Sequence, residues 1–367
     1  METSMAFLRN AWYVAAWDNE VAQDSLFQRT LLNESILFFR DDAGTVQAIS
    51  NRCPHRFAPL HMGKRVVNGV QCPYHGLQFD GTGKCTGNPH GDGKVPAAAS
   101  VKSYPVIERY SAIWIWMGDA AKADEALMPD FSCMDPEHFY VGKRYLRAKA
   151  NYVLETDNIM DLSHIQYLHP TTLGSETVSD AITSVKQVGN TVYSYRQTVA
   201  EIMPDYLYDA MGFPHGQPVD RWIDVRWDAP ANMLLDAGAV ATGGQRSEGK
   251  SFPLPHLFSP ETETCTHYWF AFCMPKVLGE FGKDVVEQQV QGLSIPFTTE
   301  DLPMLEAQQQ MMGDADFWSL KPVLLPGDAG AIRARRVLDG LIVTEQKSVD
   351  GAAKSPTVVA IHPQRPL

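Results

Sequence analysis

Short apolar runs punctuate the first third of the chain: "SILFFRDD", "TVQAIS", "GVQCPYHGLQFD", "KSYPVIERY" and "SAIWIWMGD". Asp-Gly, Gly-x-Gly and Asn-Pro turn signals separate them, which predicts a small antiparallel β domain from residue 5 to about 118. The stretch "AAKADEALMPDFSCMDPEHF" breaks this pattern with prolines and a shift of composition, so a domain boundary falls there. The first domain is accordingly placed at residues 1–125.

A different periodicity follows. In "NYVLETDNIMDLSHIQYLHP" the apolar residues Val153, Leu154, Ile159, Met160 and Leu162 fit one face of a helix better than strict alternation. Strand-like stretches run from about 181 to 275, among them "NTVYSYRQTV", "DRWIDVRWDAP" and "THYWFAFCM". Helical segments "KDVVEQQVQGL" and "LPMLEAQQQMM" come next, and then a last helix, "AGAIRARRVLDGLIVTEQ". These elements predict an α+β chain without internal repeats, with a second domain over 126–347 and a loose tail over 348–367.

Composition narrows the function classes. The 367 residues are 44% hydrophobic, and no apolar run approaches the ~20 residues that a membrane span needs. The start lacks a basic stretch and a small-residue cleavage site, so no signal peptide is expected and the cytoplasm is the default location. A net charge of −12 argues against nucleic-acid binding, and the one compact basic run, "RARRVLDG", reads as a solvated helix face. Six cysteines in so long a chain do not suggest a disulfide scaffold; their grouping with histidine suggests metal.

Cys53-x-His55 and, sixteen residues on, Cys72-x-x-His75 form the first such group. Structural zinc suits two cysteines and two histidines, but zinc fingers usually pair like with like on each arm. Here each arm supplies one of each. That order suits a two-iron cluster in which both thiolates bind one iron and both imidazoles the other. At "CPHRFAPL" and "CPYHGLQFD" the chain resembles the Rieske [2Fe–2S] family. The resemblance implies that Tyr74 donates its hydroxyl to a cluster sulfur; plain packing is the competing account. Cys85, Cys133, Cys265 and Cys273 have no such partners and read as ordinary thiols. "GTGKCTG" has the wrong spacing for a dinucleotide fingerprint and reads as a hairpin turn, so electrons are expected to arrive from another protein.

The second group is Glu155, Asp157, Asn158, Asp161, His164 and His169. Helical spacing puts Asn158, Asp161 and His164 on one face, whereas His169 falls about 140° round from His164. Both histidines can serve one ion only if the helix widens or ends between them, and Pro170 favours an end. Two imidazoles and one carboxylate on one side of Fe(II) leave positions for O2 beside a substrate. By residue chemistry Glu300 and Asp301 compete for the carboxylate role; Asp301 could instead form a capping box with Thr298, and Pro303 marks a helix start or kink nearby.

The spacing Asn158-x-x-Asp161-x-x-His164-x4-His169 and the later "TEDLPMLEAQ" resemble the iron motif of Rieske non-haem iron oxygenases. The likeness runs from "RNAWYVAAW" to "DAGAIRARRVLDGLI" and is nearest to the aromatic O-demethylase and methyl-monooxygenase branch. It implies His164, His169 and Asp301 as iron ligands and a helix-grip-like catalytic domain. It further implies a homotrimer in which His75 of one subunit faces Asp161 and His164 of the next, the Asp161 carboxylate bonding His164 and carrying the electron path. The implied reaction takes electrons from NAD(P)H through a reductase or ferredoxin, and with O2 hydroxylates a methyl or methoxy group of an aromatic acid. A methoxy substrate would then release formaldehyde. His256 and Asp236 stand where substrate-contacting residues are implied, though His256 reads equally as a surface loop residue, and no cation for an acid stands out. Two other readings remain: an electron carrier fused to a ligand-binding domain without the second iron, and a zinc-stabilised interaction protein.

Overall fold

The computed structural model describes residues 7–353. Three small antiparallel sheets make up the N-terminal part. One orders strands Trp12–Trp17, Ala112–Trp116 and Val106–Arg109; a second holds Phe27–Leu31, Glu34–Arg40 and Val46–Ser50; a third holds Lys64–Val66, Gly69–Gln71, Gln78–Asp80 and Cys85–Gly87. Strand 34–40 explains why "SILFFR" is nearly all apolar. Side chains alternate across a strand, and here both faces are covered. Ile36 and Phe38 enter the main core of the molecule, while Leu37 and Phe39 pack beneath Cys53 and Cys72.

One seven-stranded antiparallel sheet dominates the rest. Its order is Phe139–Ala148, Cys265–Pro275, Lys250–Thr262, Asn232–Ala241, Val219–Asp228, Thr191–Glu201 and Ile182–Val188. The last six form a meander in reverse chain order, and strand 139–148 joins beside the final one, Phe139 opposite Pro275. Among the described residues, six α-helices accompany the sheet: α1 (Tyr152–Met160), α2 (Ile165–Leu168), α3 (Asp205–Met211), α4 (Gly282–Pro296), α5 (Leu302–Met312) and α6 (Ala329–Ala353). The α+β class expected from the sequence is what the chain adopts.

Alternation along strand 265–275 defines the two sides of this sheet. Trp269, Ala271 and Cys273 meet Trp12, Trp114 and Trp116 of the N-terminal part, whereas Tyr268, Phe270, Phe272 and Met274 face the core that contains α4. Trp114, Trp116 and Trp269 are essentially free of solvent, and burying such side chains stabilises by roughly 1.5–3 kcal/mol each before ordering costs. Hydrogen bonds cross the same junction, from Ser259 Oγ to the Val14 carbonyl (2.7 Å) and from Trp17 Nε1 to the Arg144 carbonyl (3.0 Å). Helix α4 lies so close to strand 139–148 that a Cβ at Gly142 would come 2.3 Å from the Val286 carbonyl oxygen.

Two expectations need correction. The tail was placed at 348–367, but α6 continues to Ala353; residues 354–367 lie outside the described residues. The basic run on α6 is not simply a solvated face. Arg335 is buried and grips both carboxylate oxygens of Asp157 on α1 through Nε at 2.9 Å, with its guanidinium over the Phe317 ring.

Candidate metal centres and substrate cavity

The two cysteine loops share one backbone design. Cys53 N–H donates to the Ala58 carbonyl (2.9 Å) and Phe57 N–H to the Cys53 carbonyl (3.0 Å); likewise Cys72 N–H donates to Leu77 (2.7 Å) and Gly76 N–H to Cys72 (3.2 Å). Phe57 (φ 61°) and Gly76 (φ 74°) occupy the same left-handed position in each turn. The result buries both thiols and leaves the His55 and His75 rings toward solvent, 4.5 Å apart. Burial, together with the neighbouring Cys72 thiol, raises Cys53 to about 11, so thiolates here require a cationic partner. Buried sulfur beneath paired outer imidazoles suits a two-iron cluster with chemically distinct ends. Tyr74 is largely exposed, its ring 4.0 Å from that of His75.

The second centre depends on three interruptions of helix. Helix α1 stops at Asp161 (φ −121°, ψ 93°), whose carboxylate accepts from Ser163 N–H (3.0 Å) and caps a 3-10 turn over Leu162–His164. Helix α2 then ends at His169 (φ −119°, ψ 44°), ahead of Pro170, so the helix end expected there is present and a second break precedes His164. The chain folds back tightly: a Cβ at Gly174 would sit 1.9 Å from the Ile165 carbonyl oxygen. Asp301 arrives differently. Helices α4 and α5 are continuous through a π-helical turn over Phe297–Asp301, so Asp301 lies inside a helix and not in a capping box with Thr298. Pro303 offers no N–H to the carbonyl four residues earlier, and the extra residue of the π turn falls in this stretch.

These breaks bring donor atoms of His164, His169 and Asp301 within 4.8 Å of one another. Each imidazole is oriented from behind. His169 Nδ1–H donates to Glu300 Oε2 (2.6 Å) and His164 Nδ1–H to the Asp161 carbonyl (2.9 Å), which leaves each Nε2 directed at Asp301 Oδ1, at 3.1 and 3.5 Å. Asn158 Nδ2 donates to the same oxygen at 3.0 Å. Two neutral nitrogens and one carboxylate on one side fit ferrous iron with open positions opposite.

The expected bond between the Asp161 carboxylate and His164 is replaced by one from the main chain. The carboxylate turns instead to Arg196 Nη2, 3.1 Å away, because it also caps the turn that follows. Glu300 and Asp301, rivals by residue chemistry, divide the work between orienting and facing the site.

A cavity opens beside His164, His169 and Asp301. Its wall is mostly apolar, with Ile223, Leu235, Phe252, Leu254 and Phe272 from the sheet and Leu293 and Phe297 from the helices. His256 belongs to this wall and is 1% exposed, so it is no surface loop residue. Burial depresses it to about 3 and keeps it neutral. Its Nδ1 lies 2.6 Å from the Tyr268 hydroxyl, and this hydrogen bond fixes the ring's orientation in the wall. Asp236 is a correction. Strand alternation sends Leu235 and Ala237 into the cavity and Asp236 to the opposite face, where it meets Arg246 (2.7 Å). Sequence reasoning also missed Tyr268 and the buried pair Arg221–Glu201 on the sheet, and Tyr206 on α3, which carry no motif and are brought to the site only by tertiary packing.

Together, a histidine-and-cysteine two-iron site and a facial iron site above an apolar cavity define a Rieske-type oxygenase. Family comparison agrees in both halves. Residues 11–105 match the Rieske [2Fe-2S] domain and residues 148–344 match the vanillate O-demethylase oxygenase C-terminal domain. The chain is 39% identical, over 97% of its length and 99% of the relative's, to the oxygenase component of chloroacetanilide N-alkylformylase from Rhizorhabdus wittichii. It is 36% identical to the oxygenase component of dicamba O-demethylase from Stenotrophomonas maltophilia, over 92% of this chain and 98% of that one. The solved structure of dicamba monooxygenase bound to 3,6-dichlorosalicylic acid superposes with a TM-score of 0.85 at 32% identity, covering 93% of this chain and 99% of that chain. This chain belongs to the Rieske non-haem iron oxygenase family, in the branch of vanillate O-demethylase oxygenase subunits. Its cofactors are a Rieske [2Fe–2S] cluster and a mononuclear iron. No described helix is long and apolar enough to cross a membrane.

Proposed function

We propose that the chain is the terminal oxygenase of a multicomponent cytoplasmic system that takes electrons from NAD(P)H through a separate reductase or ferredoxin and hydroxylates an alkyl substituent of an aromatic substrate. O-Demethylation with release of formaldehyde is the leading reaction. The observation that carries this reading is the convergence of His164, His169 and Asp301 at the mouth of an apolar cavity in a chain that also holds a Rieske site. Cys53, His55, Cys72 and His75 would hold the cluster, and His164, His169 and Asp301 the iron, which when bound supplies oxygen activation. The protein's own residues do the remaining work. Phe252, Leu254 and Phe272 grip a flat ring and exclude water, the fixed His256 ring offers a polar nitrogen to a polar substituent, and Asn158 steadies the Asp301 oxygen.

Two exposed apolar surfaces support assembly as a homotrimer. At the cluster tip Phe57, Met62 and Tyr74 stand exposed; a cleft lined by Asp161, His164, Met304, Met311 and Val323 opens on the outer side of the iron site. One subunit's tip seated in its neighbour's cleft would place His75 opposite Asp161, and electrons would cross through Asp161 to His164. The test is reconstitution with a reductase and a panel of methoxylated, methylated and N-alkylated arenes, following formaldehyde and NADH. Substrate-dependent oxidation of NADH with product, from protein holding three irons and two sulfides per chain, is expected. Protein with two irons per chain and no turnover of any arene would return the chain to the electron-carrier reading.

A further inference from the structure

Outside the iron ligands, the cavity wall contains one cationic side chain, Arg221, among the described residues. It lies on strand 219–228 and is 5% exposed. Its Nη1 donates to Glu201 Oε1 (3.0 Å) and to the Leu173 carbonyl (3.0 Å). Glu201 is itself wholly buried and gathers further bonds from Ser175 Oγ (2.8 Å) and Thr198 Oγ1, so it is locked in place as an anion against the guanidinium. The pair brings no net charge to the cavity. Yet Arg221 Nε, buried, has no hydrogen-bond partner, and the buried hydroxyl of Tyr206 on α3, also part of the wall, has none either. Buried polar groups are rarely left unpaired without a ligand or water to satisfy them.

We propose that Arg221 and Tyr206 are specificity residues that recognise a neutral oxygen acceptor, such as an amide carbonyl, on the substrate, and that Glu201 masks the guanidinium so that carboxylates are disfavoured. The physical reason is a difference in partners. A neutral carbonyl accepts one or two hydrogen bonds and is satisfied, whereas a carboxylate entering an apolar cavity loses its hydration and needs an uncompensated cation. Glu201 has already taken that cation. The His256 ring, neutral through its burial, adds a polar nitrogen but no charge. The sequence had suggested an aromatic acid; the cavity is built for an uncharged aromatic amide or anilide with an alkyl substituent. This inference rests on the oxygenase reading only in taking the cavity as the substrate site.

Calorimetric titration of the holoenzyme, without reductant, tests it with the matched probes 3-methoxybenzamide and 3-methoxybenzoate at pH 8. The wild type should bind the amide at least about tenfold more tightly than the acid. Glu201→Gln keeps the shape of the pair but unmasks Arg221, and should shift the amide-to-acid ratio about tenfold or more toward the acid. Tyr206→Phe should weaken the amide by about three- to tenfold with unchanged melting temperature. The double variant Glu201→Gln/Arg221→Gln, which leaves no buried unpaired charge, should lose discrimination altogether. A purely structural role for the pair would move melting temperatures and leave the ratio where it was. Acid binding to the wild type as tightly as the amide, an unchanged ratio in Glu201→Gln, or no binding of the amide overturns the proposal. Because no turnover is measured, failure of the oxygenase reading appears separately, as absence of product from the reconstituted system.

Discussion

Glu300→Gln isolates the contribution of one hydrogen bond to the iron site. Glu300 Oε2 accepts from His169 Nδ1–H at 2.6 Å and from Thr172 Oγ1 at 3.1 Å, behind an imidazole that is itself 1% exposed. Glutamine retains the length and an acceptor oxygen but loses the charge, and a charge-assisted bond is roughly twice as strong as a neutral one. Removing an outer partner of a metal-bound histidine typically costs 10–100-fold in metal affinity, about 1.4–2.7 kcal/mol. The Glu300 side chain is 26% exposed, so solvent screens part of its charge and the expected loss lies in the lower half of that range, about 10–30-fold. Asp301→Asn removes a charged ligand and should cost more than about 100-fold. Anaerobic competition for Fe(II) against a chromophoric chelator reads both, with the optical spectrum of the cluster as an internal control. Abolished binding in Glu300→Gln with near-normal binding in Asp301→Asn would exchange the two roles; unchanged affinity in Glu300→Gln would refute the orienting bond.

Other consequences are as direct. Gly142→Ala should destabilise by about 1–3 kcal/mol, since its Cβ meets the Val286 carbonyl, and a lowered urea midpoint checks it. His256 sits at about 3 in the folded protein against about 6.5 unfolded, so the folded state binds fewer protons between these values. Its contribution is complete above pH 6.5 and declines toward pH 3 by up to about 1.4 kcal/mol per pH unit. Urea titrations of the wild type and His256→Gln should diverge over that window; parallel curves would contradict it. Asp161→Asn should retain iron and cluster by metal analysis while coupled turnover collapses, and normal turnover would remove Asp161 from the electron path. Met311→Asp with Val323→Asp should shift sedimentation from trimer to monomer with the cluster spectrum intact, because both side chains are more than four-fifths exposed in the single chain.

The cluster loops were readable because all their chemistry is local. Cys53, His55, Cys72 and His75 lie within 23 residues, and turns formed by the same residues aim them. The histidine pair was nearly as legible, since its spacing called for a widened or ended helix and Pro170 favoured the end that is found at His169. Its detail was not. Asp161 has a side chain and a carbonyl that can each bond an imidazole, and which one does so depends on Arg196, 35 residues away on strand 191–201. The Asp236 error has the same origin: a strand's period shows which residues share a face, but the neighbouring layers decide which face is the cavity.

Sequence by itself determined the candidate ligand types and the order of β-rich and helical segments, since each follows from residue chemistry or from periods of a few residues. Tertiary structure alone decided that Glu300 orients and Asp301 faces the iron site, that His256 is buried and neutral, and that Arg221 reaches the cavity already neutralised by Glu201. Those outcomes depend on burial and on partners from distant elements, and a one-dimensional pattern carries no information about the dielectric or the charge that packing will place beside a given side chain.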